Sequence, residues 1–204
     1  MIRDTVHVAS RGQIGERGTQ TRKRLIEAML GLVNEGGMPV VASVRSIASR
    51  AGVTEAVLYR YFPTKDAMFR EVWETTLTAM VEQKRSLLEN PLENPAELLR
   101  NWIRITYEQF DQDPAAFHFV FLSEGTAAWR KDAVYSVQGE LLGAWLESTI
   151  PTEQFAPLDQ MAALHCVVDL MLAVPRRIRD GCTDGPAIAH VDYTVAAITR
   201  VLGI

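Results

Sequence analysis

Apolar residues recur at three- and four-residue spacing along most of this chain, and no segment sustains a period-two alternation. That pattern predicts helices and no sheet. The first helix runs from Thr19 to about Asn34, with Leu25, Ile26, Met29, Leu30 and Val33 on one face, and the pair Gly36-Gly37 stops it. Ser43 caps a short helix to Ala51, Gly52-Val53 turn the chain, and Thr54 caps a second short helix ending near Phe62. A long helix opens at Lys65 and carries Phe69, Val72, Trp73, Thr76, Leu77, Met80 and Val81 before its pattern fades ahead of Pro91. Further helices are expected at roughly 95–112, 114–123, 127–149, 158–180 and 186–202, with a loop between Pro151 and Pro157. The fold class is all-α. A basic mobile arm (1–18) leads into a three-helix unit (19–66), followed by a helical remainder (67–204).

The segment Ser43–Lys65, SVRSIASRAGVTEAVLYRYFPTK, has the form of a helix-turn-helix, whose second helix enters the DNA major groove. Gly52 suits the turn because it takes a positive φ without steric cost. At 100° per residue, Leu58 and Phe62 face Ile47 and Ala51, while Ala56 and Arg60 point the other way, flanked by Val57, Tyr59 and Tyr61. Arginine and tyrosine on that outer side supply donors for phosphates and base edges.

The stretch Ile47-Ala48-x-x-Ala51-Gly52-Val53-Thr54-x-x-x-Leu58-Tyr59-x-Tyr61-Phe62-x-x-Lys65 resembles the TetR family of transcriptional regulators over about residues 19–70. The resemblance implies an N-terminal helix-turn-helix domain and a C-terminal helical domain that binds a small effector and forms a homodimer. It implies that Tyr59, Tyr61 and Lys65 hold phosphates. Arg45, Glu55, Ala56, Val57 and Arg60 would meet bases, with Thr54 at the helix start beside them; Glu55 could instead complement the helix dipole, and Arg60 could grip only phosphate. Arg22 and the arm arginines are expected as further backbone contacts.

In the remainder, the last helix spaces Ile188, Val191, Val195, Ile198 and Leu202 by three and four, the pattern of a packed seam. The helix before it is apolar nearly all round, from Met161 to Val174. A four-helix dimer interface built from the last two helices explains both. Trp102, Tyr107, Phe110, Phe117, Phe121, Trp145 and His165 are the candidate effector-binding residues, with Phe119 and Met161 as further lining and His118 and Glu140 as orienting groups. Aromatic density points to an apolar or aromatic effector.

Charge sharpens the division. Residues 1–70 hold eleven Lys and Arg against six Asp and Glu, a net +5, while the remaining 134 hold ten against nineteen, a net −9. A basic first third fits a polyanion partner, double-stranded operator DNA. Hydrophobic residues make up 48% and no apolar run is long enough to span a membrane, so a cytoplasmic protein is expected. The N-terminal residues lack the apolar stretch of a secretion signal. His165 and Asp169 share a helical face but have no third ligand at metal-site spacing, and Cys166 has no nucleophile–base geometry with His165. No metal, cofactor or enzymatic activity is expected. The reading is a repressor released from a palindromic operator by a small molecule.

Overall fold

The computed structural model describes residues 15–36, 42–89, 94–123, 133–150 and 160–203. Regular structure in them is helical throughout: α1 (Glu16–Gly36), α2 (Val44–Arg50), α3 (Glu55–Tyr61), α4 (Lys65–Glu89), α5 (Pro95–Gln112), α6 (Pro114–Phe117), α7 (Ala133–Thr149), α8 (Gln160–Arg179) and α9 (Val191–Leu202). Helix α1 begins at Glu16, so residues 16–18 belong to it rather than to the expected arm, whose residues 1–14 lie outside the described residues. The first part of the helix expected at 127–149 and the loop holding Pro151 and Pro157 also lie outside them.

Local chemistry sets the short elements. Ser43 Oγ accepts from Ser46 N–H at 3.0 Å, and Thr54 Oγ1 accepts from Val57 N–H at 3.3 Å, which caps α2 and α3. Between them Gly52 sits at φ 68°, Val53 N–H donates to Ala48 O at 3.0 Å and Gly52 N–H to Ser49 O at 3.1 Å. This paired closure, with a left-handed glycine, ends α2 and turns the chain into α3. Gly181, also at φ 68°, ends α8 in the same way.

Helix α6 continues into a π turn, His118–Leu122, closed by Ser123 N–H on His118 O at 2.9 Å. All five of its residues are buried. Phe119 packs on α4, its ring 5.6 Å from Phe69 and edge-on to Trp73 at 6.2 Å. Helix α4 buries a stripe running from Met68 to Lys84, covered by α5, α6, the π turn and α7.

The last helix differs from expectation twice. Residues Ala187–His190 form a 3-10 turn ahead of α9. The Asp111 carboxylate of α5 accepts from Ala187 N–H at 2.7 Å and Ile188 N–H at 2.9 Å, and so holds that first turn. The second difference concerns the seam. Val191, Val195, Ile198 and Leu202 are buried within the single chain, where α9 packs on α5 and α8, so this face is subunit core and not the dimer seam expected for it. Helical spacing marks a covered face without saying what covers it. Tyr107 of α5 shares a hydrogen bond of 2.7 Å with Thr194 of α9, and burial pushes its phenol pKa up to about 12.

Ile198→Ala should therefore cost about 2–5 kcal/mol through the transfer term and the cavity left behind. Urea unfolding at several protein concentrations checks this. A core position gives a penalty independent of concentration, whereas a dimer-seam position gives one that shrinks on dilution, as parent and variant both dissociate.

Candidate functional site

The outer face of α3 stands on a buried base. Leu58 and Phe62 are 0% and 1% exposed, packed with Ile47, Ala48 and Ala51 of the preceding segment and Leu25 and Met29 of α1. That base leaves Glu55, Ala56, Tyr59 and Arg60 exposed, with Val57 and Tyr61 half-buried at the edges. Arg45 on α2 and Thr54 at the cap are exposed as well. Among the described residues neither Arg45 nor Arg60 has an ion-pair partner. Lys65 is half-buried, its Nζ 5.4 Å from the centre of the Phe69 ring. The candidate DNA-facing residues are thus gathered on α2, α3 and the first turn of α4.

Two arginines of the same region are used inside the chain. Arg22 pairs with Glu71 of α4 and lies 4.4 Å over the Phe62 ring, so its guanidinium joins α1 to the start of α4 instead of standing free for a phosphate. Arg50 meets both oxygens of Glu35 at 2.7 Å and holds that carboxyl below the usual range. Its guanidinium also lies over Gly31, where a Cβ would come within 2.7 Å.

The second feature is a cavity of about 990 Å³ bounded by α4, α5, the π turn, α7 and α8. Its volume is at the upper end for small-molecule sites. Of the expected effector residues, Trp102, Phe121 and His165 line it, together with Glu140 and Met161. Tyr107, Phe110, Phe117 and Trp145 do not, and nor do His118 and Phe119. Phe117 stacks between Phe110 at 5.4 Å and Phe121 at 4.6 Å, so most of this aromatic cluster is packing and only its edge reaches the cavity. Much of the remaining wall is Met80, Leu142, Gly143, Leu164, Val168, Met171 and Leu172. Lys84 also lines it, although it is only 1% exposed. The Lys84 amine donates to Gln138 Oε1 at 2.9 Å and lies 4.7 Å over the Trp102 ring, and burial lowers its pKa to about 7.

The π turn joins the cavity to α1. Phe121 faces the cavity, while His118 Nδ1, three residues earlier, is 2.6 Å from Asn34 Oδ1 near the end of α1. Asn34 Nδ2 donates in turn to Ala115 O at 3.4 Å, which leaves its oxygen as the acceptor and the His118 ring as the donor. Burial, and secondarily the charge of Arg179, pushes the His118 pKa below its ordinary 6.5, against a smaller pull from Asp180.

His165 and Asp169 are both exposed, and Asp169 lies 3.6 Å from Arg176. Among the described residues no three His, Cys, Asp or Glu gather at a possible metal site. Among them too, no helix is long and apolar enough to cross a membrane.

Residues 25–72 match the family described as bacterial regulatory proteins, tetR family. Over 159 residues the chain is 29% identical to the HTH-type transcriptional repressor KstR of Rhodococcus jostii, covering 76% of this chain and 70% of that one. The fold is similar to that of the ketosteroid transcriptional regulator KstR2 of Mycobacterium tuberculosis, with TM-score 0.71 and 21% identity over 94% of this chain and 96% of the other. It is also similar to that of the regulator FadR of Bacillus subtilis, solved in complex with stearoyl-CoA, with TM-score 0.67 and 15% identity over 88% and 98%.

The lowered His118 pKa carries a sign. The folded chain holds the ring neutral, so this contribution to stability is present above pH 6.5 and is lost as pH falls below it. Chemical denaturation between about pH 7.5 and pH 5 should show a steeper loss for the parent than for His118→Asn, whose side chain does not titrate.

Proposed function

We propose that the chain is a TetR-family repressor whose dimer grips a palindromic operator and releases it when a small apolar molecule occupies the cavity. Residues 19–66 form the DNA-reading unit in this reading, and 67–204 the effector-binding and dimerising unit. The observation that carries it is the π turn, because one five-residue element lines the cavity through Phe121 and hydrogen-bonds α1 through His118.

Reading and holding divide by chemistry. Arg45, Arg60 and Glu55 have the charged groups for base edges, and Ala56 and Val57 offer apolar contact to a thymine methyl. Thr54, Tyr59, Tyr61 and Lys65 offer donors suited to phosphates. Among the described residues with large, highly exposed hydrophobic side chains, Tyr59 lies on α3, Met161 of α8 borders the cavity, and Tyr193 and Val201 lie on α9. This supports a dimer through the outer faces of the last two helices, opposite the α9 face that packs on α5. Two recognition helices then address half-sites about 34–36 Å apart.

Release needs no contact between effector and DNA. The effector has only to bind more tightly to the state whose recognition helices are badly spaced, and DNA must then weaken effector binding by the same factor. The apolar wall favours a hydrophobic ligand, and the similar fold solved with stearoyl-CoA supports that class.

Two outcomes are expected. Arg45→Ala should cost about 1–3 kcal/mol and relax preference at one base pair per half-site, whereas Lys65→Ala should weaken all sequences alike and lower the salt slope by about 1. Anisotropy titrations over operator variants and salt separate the two; equal losses for Arg45→Ala on every variant would move that arginine to the backbone. The other outcome concerns the cavity. Gly143 lines it, and a Cβ there would meet only Leu164 Cδ2 at 3.9 Å, so Gly143→Phe should fill the space. Titrating the DNA flanking the chain's own gene, with and without a panel of long-chain and polycyclic hydrophobic molecules, should reveal one that releases the parent and not the variant.

A further inference from the structure

We propose that the cavity selects a carboxylic acid carried on an apolar body, and that Lys84 is the group that selects it. The proposal rests on the reading of this cavity as the effector site and names the chemical class that site takes.

Lysine is almost never fully buried unless it is paired. Lys84 is 1% exposed, yet among the described residues no carboxylate lies within ion-pair distance of it. Of the three hydrogens an ammonium carries, one is taken by Gln138 Oε1, and the Trp102 ring lies beside the charge. A ring face softens the cost of burying a cation without removing it.

The neighbours add donors and no spare acceptor. Because the lysine takes the Gln138 oxygen, the amide is oriented, and its Nε2 is buried without a hydrogen-bond partner among the described residues. Trp102 Nε1 is in the same state. Three residues of one cavity wall therefore hold unused donor capacity, and a ligand that satisfies them must bring acceptor oxygens. A carboxylate brings two, with a charge opposite to that of the lysine. The wall around them, including Met80, Phe121, Leu142, Val168 and Leu172, requires the rest of the ligand to be apolar.

The other ionisable groups of the lining are Glu140 and Glu147 on α7 and His165 on α8; α5 and the π turn contribute none. All three are exposed, so water and salt screen them far more than they screen the buried amine. They define the competing class, a cationic ligand. A carboxylate against Lys84 also favours its charged form, which in the unliganded protein is lost above about pH 7. Binding of an acid above that pH then takes up a proton at the amine, and binding of a neutral ligand does not.

The test is calorimetric titration of the full chain with dodecanoic acid, dodecanamide and dodecylamine, each below its aggregation limit. Parent and Lys84→Met are compared at about pH 8.5 in two buffers of different ionisation enthalpy, with melting curves for both proteins. The parent should prefer the acid to the amide by about tenfold or more and take up close to one proton per acid bound. Lys84→Met should lose that preference and still bind the amide. Proton uptake by the parent stands as evidence even if the variant fails to fold. Equal binding of acid and amide, absence of proton uptake, or an acid preference retained in Lys84→Met overturns the proposal and leaves the apolar effector reading standing. Preference for the amine overturns it in favour of Glu140 and Glu147. Binding of none of the three overturns both readings.

Discussion

One helix, α4, is the surface on which α5, α6, the π turn and α7 all pack. The stripe that α4 buries, from Met68 to Lys84, begins one turn after the residues that follow α3 and ends in the cavity. At 1.5 Å per residue its 25 residues span roughly 37 Å, about the width of a small domain. Phe69 and Trp73 are met by Phe119 of the π turn, while Met80 and Lys84 face open cavity. Interiors are packed like crystals and do not deform continuously. Filling the open end of the stripe changes what Met80 and Lys84 pack against, and the π turn, which lines that space through Phe121, is packed against α1 together with α6.

Helix α1 is tied to the rest by contacts of different physical kinds. The Arg22–Glu71 pair and the Arg50–Glu35 fork are partly or largely exposed, so ions and nearby phosphates weaken them. The Asn34–His118 hydrogen bond joins neutral groups at a part-buried position, and neither salt nor a polyanion changes it directly. A unit that must stay oriented while pressed against DNA gains from having at least one such tie. It is also the tie nearest the cavity, since Phe121 belongs to the same turn.

What the sequence made legible follows the range of the interactions. The caps at Ser43 and Thr54, the glycine turn and the outer face of α3 depend on residues within one or two turns of each other, and those were readable directly. The cavity depends on what fails to meet across helices, and composition does not encode that. Phe110, Phe117, Tyr107 and Trp145 stand out in the sequence by size, but size does not separate packing from lining, since Trp102 and Phe121 are as large and line the cavity. The face of α9 was recognised as covered but assigned to the wrong partner, because α5 presents a complementary surface from eighty residues away. Lys84 carried a signal that hydropathy hid. It stands four residues after Met80 and three after Val81, on the next turn of a stripe that the pattern of apolar residues alone makes fade too early.

Lys84 also bears on how occupancy becomes a change of state. A ligand moves an equilibrium only by the difference in its affinity for the two states. A soft cavity lined by Met and Leu can partly close when empty and open when filled, so apolar contact alone gives a shallow difference. A buried amine behaves otherwise. In the unliganded chain it is half-neutral near pH 7 and short of acceptors, a condition that costs free energy as long as the cavity keeps this shape. A methionine at the same place would pack without that cost and would give the empty form no reason to differ from the filled one. On the proposed reading the charge is what makes the two states unequal, and it sits on the helix whose first turn follows α3.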